Sequence, residues 1–205
     1  MLNLTLQNSK DFYFSYTYDI TSTLQDNVTR SIQLKNNGVY NGEFVWNTHL
    51  LSEFKDIVKR KDWILPMTYG FVDTARIRNF AFPFSIHVMA RRSRFYAGTR
   101  YLKRGVNEEG KTGNFVEIEQ IVEDERVQTA GMFSASSYVH VRGSIPTLWR
   151  QGSPTNPKPE IILNETDYMM TLTKLHIADL FTRYGKPLFL VNLTKVLIQF
   201  LTFDS

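Results

Sequence analysis

The sequence predicts an α+β protein: a largely antiparallel sheet, followed by the first helix and strand of an α/β unit. Three observations carry that reading. Short apolar–polar alternations recur through residues 84–146, two stretches switch to helical spacing, and a continuous apolar strand follows the second of them near the end of the chain.

Taken in order, DFYFSYTYDI (11–20) alternates Phe12, Phe14, Tyr16 and Tyr18 against Tyr13, Ser15 and Thr17, which predicts a strand. From Phe44 the period lengthens: Leu50, Leu51, Phe54, Ile57 and Val58 predict a helix over about 45–60, stopping near Trp63 and Pro66, with that stripe in the core. FPFSIHVMARRS, NFVEIEQIV and SYVHVRGSIP then read as three strands of an antiparallel sheet with one wet face, linked by turns at Gly105, Gly110 and Gly113. SPTNPKPE (153–160), with its three prolines, reads as a linker or seam. NETDYMMTLTKLHIADLFTRYG predicts a helix that Asn164 or Thr166 caps. Tyr168, Leu172 and Leu175 line one face, Arg183 sits in the last turn and Gly185 stops it. PLFLVNL is apolar without alternation, as expected of a strand buried on both faces.

With 205 residues and 42% hydrophobic composition, the chain can bury a core of ordinary size as one domain or two small ones. It contains no cysteine, which excludes disulfides, thiolate metal sites and a cysteine nucleophile within these residues. MLNLTLQNSK lacks the pattern of a secretory signal, and LFLVNLTKVLIQFLTF is interrupted by Asn192, Lys195 and Gln199. An intracellular chain is expected, in which the sequons at Asn3, Asn27, Asn164 and Asn192 carry no meaning.

RRSRFYAGTRYLKRG (91–105) concentrates Arg91, Arg92, Arg94, Arg100, Lys103 and Arg104 with no acid among them. Arginine suits a phosphate monoester, since its planar fork donates paired hydrogen bonds and keeps its charge. On a strand, Arg92, Arg94, Arg100 and Arg104 share one parity and Arg91 and Lys103 the other, so one site cannot use all six. The competing reading is an acid-paired edge, because Glu117 and Glu119 lie on the strand that follows. Phe95, Tyr96 and Tyr101 interleave with the cations as nucleic-acid platforms do. However, the ribonucleoprotein pattern is absent, and the acids at 108–109, 117–119 and 123–125 would repel a phosphate backbone, so no nucleic-acid partner is expected. His49, His87, His140 and His176 lack metal-ligand spacing, and there is no phosphate-binding glycine loop, nucleophile elbow or dinucleotide fingerprint. The residues by themselves lead to an α+β protein with a phosphate-compatible patch.

Several stretches together resemble one family. FYFSYTYDITSTLQ, FVWN, WILPMTYGFV, ARRSRFYAGTRYLKRGVNEEG, NFVEIEQI and VRGSIPTLW, in this order, are similar to the SAC phosphoinositide phosphatases. GMFSASSYVHVRGSIPTLWRQ, NPKP and LHIADLFTRYGKPLFLVNL most resemble the branch acting on phosphatidylinositol 3,5-bisphosphate at endosomal and vacuolar membranes. The resemblance implies a bilobed domain, with 1–152 as part of the N-terminal lobe, 153–160 as the seam and 161–205 as the truncated start of the catalytic lobe. It also implies cysteinyl-phosphate chemistry on a Cys-x5-Arg loop, with no cofactor.

This chain departs from that pattern in holding no cysteine, so it is expected to be the central part of such a domain and inactive alone, with no catalytic residue of its own. The expected headgroup-binding residues are Arg92, Arg94, Arg100, Arg104 and Arg142, while Asn114, Glu117, Glu119 and Trp149 are expected to serve the sheet. Expected partners are phosphoinositide headgroups, a cytoplasmic membrane surface contacted peripherally, and a scaffold and lipid-kinase complex. The alternative is a non-catalytic lobe that binds lipid or a scaffold and regulates phosphoinositide turnover.

Overall fold

The structure is a computed structural model that describes residues 10–33, 40–55, 57–58, 63–78, 81–99, 103–127, 134–152, 159–163, 167, 169–193 and 200–203. The architecture is mixed α+β, as the sequence predicts. The chain divides into two compact units, one of residues 1–97 and 114–142, the other of 98–113 and 143–205.

The first unit is built on a five-stranded antiparallel sheet in sequential order: β1 (Phe12–Tyr13), β2 (Thr68–Ile77), β3 (Phe84–Arg92), β4 (Val116–Asp124) and β5 (Ser134–Arg142). Successive side chains on a strand point to opposite faces, and directly opposed residues share a face. The register therefore sorts the charges: Arg91 lies opposite Glu117, and Arg92 opposite Val116, which faces Arg142. Gly70 allows β2 and β3 to close up, since a Cβ there would stand 1.8 Å from the carbonyl oxygen of Ala90. The unit's buried apolar side chains, Ile20, Phe44, Val45, Phe115 and Val116, gather at the end of the sheet that carries Arg91 and Arg92.

Only Phe12 and Tyr13 of the expected first strand enter the sheet. Beyond them, side chains satisfy the backbone locally: Ser15 Oγ accepts the N–H groups of Thr17 and Tyr18, and Asp19 Oδ1 accepts that of Thr21. These short bonds compete with a ladder and bend the chain. Helix α1 (Leu24–Gln33), which the sequence pattern does not announce, starts there, with Thr23 Oγ1 accepting the Asp26 N–H at its N-terminus.

Helix α2 is shorter than expected, Thr48–Lys55, with one more turn marked by the Ile57 and Val58 N–H groups bonding to Phe54 O. Its stripe is not in the core. Leu50, Phe54 and Ile57 are 63, 53 and 75% exposed, because the helix is anchored through the polar Asn47 instead. That residue donates to Leu65 O at 2.9 Å and accepts from Met67 N at 2.9 Å.

In the second unit, residues 105–113 form a compact loop. Asn107 Oδ1 accepts from the Glu109 and Lys111 backbones, and Gly113 N donates to Gly105 O. The residues expected to be strand-linking turns thus build this loop. Strands β6 (Trp149–Gln151) and β7 (Ile161–Leu163) form a hairpin; of the expected seam, 153–158 lie outside the described residues.

Helix α3 (Thr171–Tyr184) ends at Gly185 as predicted. Its start is set by Asp167, whose carboxylate accepts the Thr171 and Leu172 N–H groups; Asn164, Thr166 and Tyr168 lie outside the described residues. Its inward residues are His176 and Leu180, whereas Leu175 is 47% exposed. Gly110 accounts for the inward place of His176. Gly110 sits at φ +76° with its carbonyl 3.0 Å from His176 Nδ1, and a Cβ there would meet Leu175 Cβ at 2.9 Å. The strand expected to be buried on both faces, β8 (Leu188–Val191), pairs antiparallel with β9 (Phe200–Phe203) and leaves Phe189 69% exposed.

Candidate functional site

The alternation of β3 sends its last two arginines to opposite faces, and they meet opposite fates. Arg91 is fully buried. Its guanidinium donates to Glu117 Oε1 at 2.7 Å, Glu119 Oε2 at 2.6 Å, Ser22 O at 2.8 Å and, through Nε, Ile20 O at 2.6 Å. Burial works against its charge, but the two carboxylates outweigh that effect and hold its pKa above the usual arginine value. Glu119 also accepts from Leu24 N and from Ser137 Oγ, each at 2.7 Å, so it joins β3, β5 and the start of α1. The acid pairing anticipated for this stretch belongs to Arg91, and Glu117 and Glu119 serve architecture as expected.

Arg92 lies on the other face in the row Arg92–Val116–Arg142, which spans β3, β4 and β5. At about 4.8 Å per strand, the two arginines stand roughly 10 Å apart across Val116. Arg92 is held in place by Asn114 Oδ1 and by the Tyr69 ring, 5.7 Å from its guanidinium carbon. Trp46 packs on that tyrosine at 5.1 Å and donates its indole N–H to Arg92 O at 2.8 Å. Asn114 adopts φ 55°, a left-handed conformation that asparagine tolerates better than most residues. Arg142 is exposed, with no side-chain partner among the described residues.

The parity argument stops at Arg92, because the chain leaves the ladder there. Ser93 N bonds to Phe115 O and Arg94 N to Glu43 O. Arg94 stacks on Phe95 at 4.2 Å and donates to Gly42 O at 2.7 Å. Arg100 lies outside the described residues. Arg104 belongs to the second unit, where it donates to Gln151 Oε1 at 3.0 Å beside the Trp149 ring. Of the five arginines predicted to bind a headgroup, the structure thus brings Arg92 and Arg142 onto one row. Two guanidinium groups on one face, one of them oriented by a neighbouring amide and ring, form an arrangement suited to a multiply charged phosphate ester.

The SacI homology domain family model matches residues 1–197. The chain belongs to this family of SAC-type phosphoinositide phosphatases. The phosphoinositide phosphatase SAC2 of Arabidopsis thaliana is 43% identical over 192 residues, covering 93% of this chain and 23% of its own length. The phosphatidylinositol-3-phosphatase SAC1 of the same plant is 42% identical over 190 residues, covering 91% of this chain and 20% of its own. The polyphosphoinositide phosphatase of Schizosaccharomyces pombe is 38% identical over 196 residues, covering 91% and 23%. The chain therefore spans less than a quarter of the length of these relatives.

Within the SAC chain, Ser144 of the RGSIP stretch accepts the Gly105 N–H on its hydroxyl at 2.8 Å. Trp149 donates its indole N–H to Ile145 O at 3.1 Å. No described helix is long and apolar enough to cross a membrane.

Proposed function

We propose that this chain is part of a polyphosphoinositide phosphatase that removes phosphate from an inositol lipid, with phosphatidylinositol 3,5-bisphosphate as the substrate, at the cytoplasmic surface of endosomal and vacuolar membranes. The membership of residues 1–197 in the SacI homology domain family carries this reading. The names of relatives in plants and fission yeast support the substrate class. In this reading the N-terminal lobe supplies positive charge toward the headgroup, and the phosphoryl-accepting thiolate comes from outside these residues, since they include no cysteine. Arg92 and Arg142 make the principal headgroup contacts, with Arg94, Arg100 and Arg104 adding charge.

Two measurements test it. The 205-residue chain alone is expected to release no phosphate from phosphatidylinositol 3,5-bisphosphate, and turnover by the pure chain would contradict the assignment of the nucleophile. It is expected to bind soluble inositol 1,3,5-trisphosphate with an affinity that falls steeply with salt, because exposed charges are screened beyond about 8 Å at physiological ionic strength. Binding that ignores salt would count against an arginine-based site.

A further inference from the structure

The two edges of the five-stranded sheet are built differently. β1 covers only the start of β2, and past it β2 carries exposed Asp73 and Arg76, with Asp73 Oδ1 accepting the Thr74 N–H at 2.8 Å. Charges and a captured donor on an edge discourage the approach of a further strand. β5 lacks such guards. Its nine residues, SASSYVHVR, pair with β4 in unbroken register without a bulge, and those ahead of Arg142 include no proline, glycine, lysine or acid. Among the described residues its backbone bonds to β4 alone, so its outer side offers alternate N–H and C=O groups in a regular row. Only another extended backbone satisfies such a row in full.

We propose that two copies of this chain pair through β5, antiparallel and centred on Tyr138, and so join their sheets into one. The side chains of β5 fit a second β5. Its first half is small and its second half large, so antiparallel pairing sets Ser134, Ala135 and Ser136 of one copy opposite Arg142, Val141 and His140 of the other. Tyr138, 68% exposed, meets its own copy at the centre as a cross-strand aromatic pair. The charges fit as well. The two Arg142 side chains go to opposite ends of the pair, and each stands beside a Ser134 whose neighbour on β4 is Asp124. At about 4.8 Å per strand, that aspartate lies roughly 10 Å from the arginine's backbone, across a side chain small enough to reach over. The same patch serves both copies, so the contact closes as a dimer instead of growing into a chain.

Directly opposed residues share a face, so the Arg92–Val116–Arg142 rows of both copies come to the same side of the joined sheet. The dimer would thus present two basic rows to one anionic surface. The pairing itself goes beyond the lipid-phosphatase reading and does not rest on it.

The test is sedimentation of the 205-residue chain over a range of concentrations. A reversible monomer–dimer equilibrium is expected, with hydrogen exchange at β5 amides slowing as the dimer forms. Tyr138→Lys and Tyr138→Glu each set like charges directly opposite one another and should weaken dimerisation about tenfold or more. Mixed in equal amounts, the two variants set lysine against glutamate and should associate to within about threefold of the parent. Because Tyr138 is exposed, each variant should keep the parent's circular dichroism when both are diluted to monomers.

A parent chain that remains monomeric throughout, a dimer that both variants form as readily as the parent, or a mixture that associates no better than the separate variants overturns the inference. So does a monomeric parent whose β5 amides already exchange slowly along the outer side, since another segment of the same chain would then occupy the edge.

Discussion

The two faces of the five-stranded sheet hold neighbouring arginines in opposite conditions. On one, Arg91 is buried among Glu117, Glu119 and two backbone carbonyls; on the other, Arg92 and exposed Arg142 flank Val116. One peptide bond separates a cation enclosed by two carboxylates from one oriented by an amide and an aromatic ring. The difference shows that a basic stretch cannot be read as a unit on a strand. Parity decides what each charge meets, and the glutamates of β4 occupy only the face that Arg91 shares.

The largest expected effect lies on the covered face. Arg91→Ala strands two buried carboxylates and should cost about 3–5 kcal/mol, read as a large fall in the denaturant midpoint. A fall under about 1 kcal/mol would show that the network is not the clamp its geometry describes. Next, Arg92→Gln with Arg142→Gln should weaken headgroup binding by about 2 kcal/mol, roughly thirtyfold, at about 1 kcal/mol per basic residue. Loss of the Asn114 and Tyr69 contacts should lower stability far less than Arg91→Ala does.

A third comparison sharpens the first. Glu119→Gln retains acceptors for Leu24 N and Ser137 Oγ while removing the charge facing Arg91, so about 1–3 kcal/mol is expected, less than for Arg91 itself. The smallest effect belongs to a surface ion pair at the end of β4, half-buried Asp124 and exposed Arg126. Hydrogen bonds from Arg126 lower the Asp124 pKa from 3.8 to about 2. A depressed carboxylate pKa favours the folded state above the unfolded value and ceases to do so as pH falls through the folded one. Arg126→Gln should therefore return the Asp124 titration, followed by NMR, toward 3.8 and scarcely move the melting temperature.

The strands β3 to β5 were legible in the sequence because alternation and β-branched residues agree there, and the C-terminus of α3 was legible because Gly185 takes a positive φ of 77° that ends the helix and that residues with a Cβ rarely adopt. The split between Arg91 and Arg92 followed from counting parity, although which of the two would meet the glutamates required the register. Other features depended on tertiary context. The aromatic alternation of 11–20 is overridden by Ser15 and Asp19, whose side chains capture nearby N–H groups. The stripe of α2 has the spacing of a core helix, and periodicity reports that a face is apolar without saying what it meets. In α3, Asp167 replaces the expected caps and His176 takes an inward place, because a carbonyl at Gly110 rewards a ring nitrogen there.

The most direct test of the two-face account is the thermal melting of three proteins, the parent chain, Arg91→Gln, and Arg92→Gln with Arg142→Gln, each with and without soluble inositol 1,3,5-trisphosphate. A ligand that binds only the folded state raises the melting temperature according to its affinity, so one experiment reads stability and binding together. The account predicts that Arg91→Gln melts well below the parent yet keeps its ligand-induced rise, whereas the double variant melts close to the parent and loses that rise. A double variant that still responds fully to the ligand, or an Arg91→Gln protein that melts like the parent and no longer responds, would contradict it.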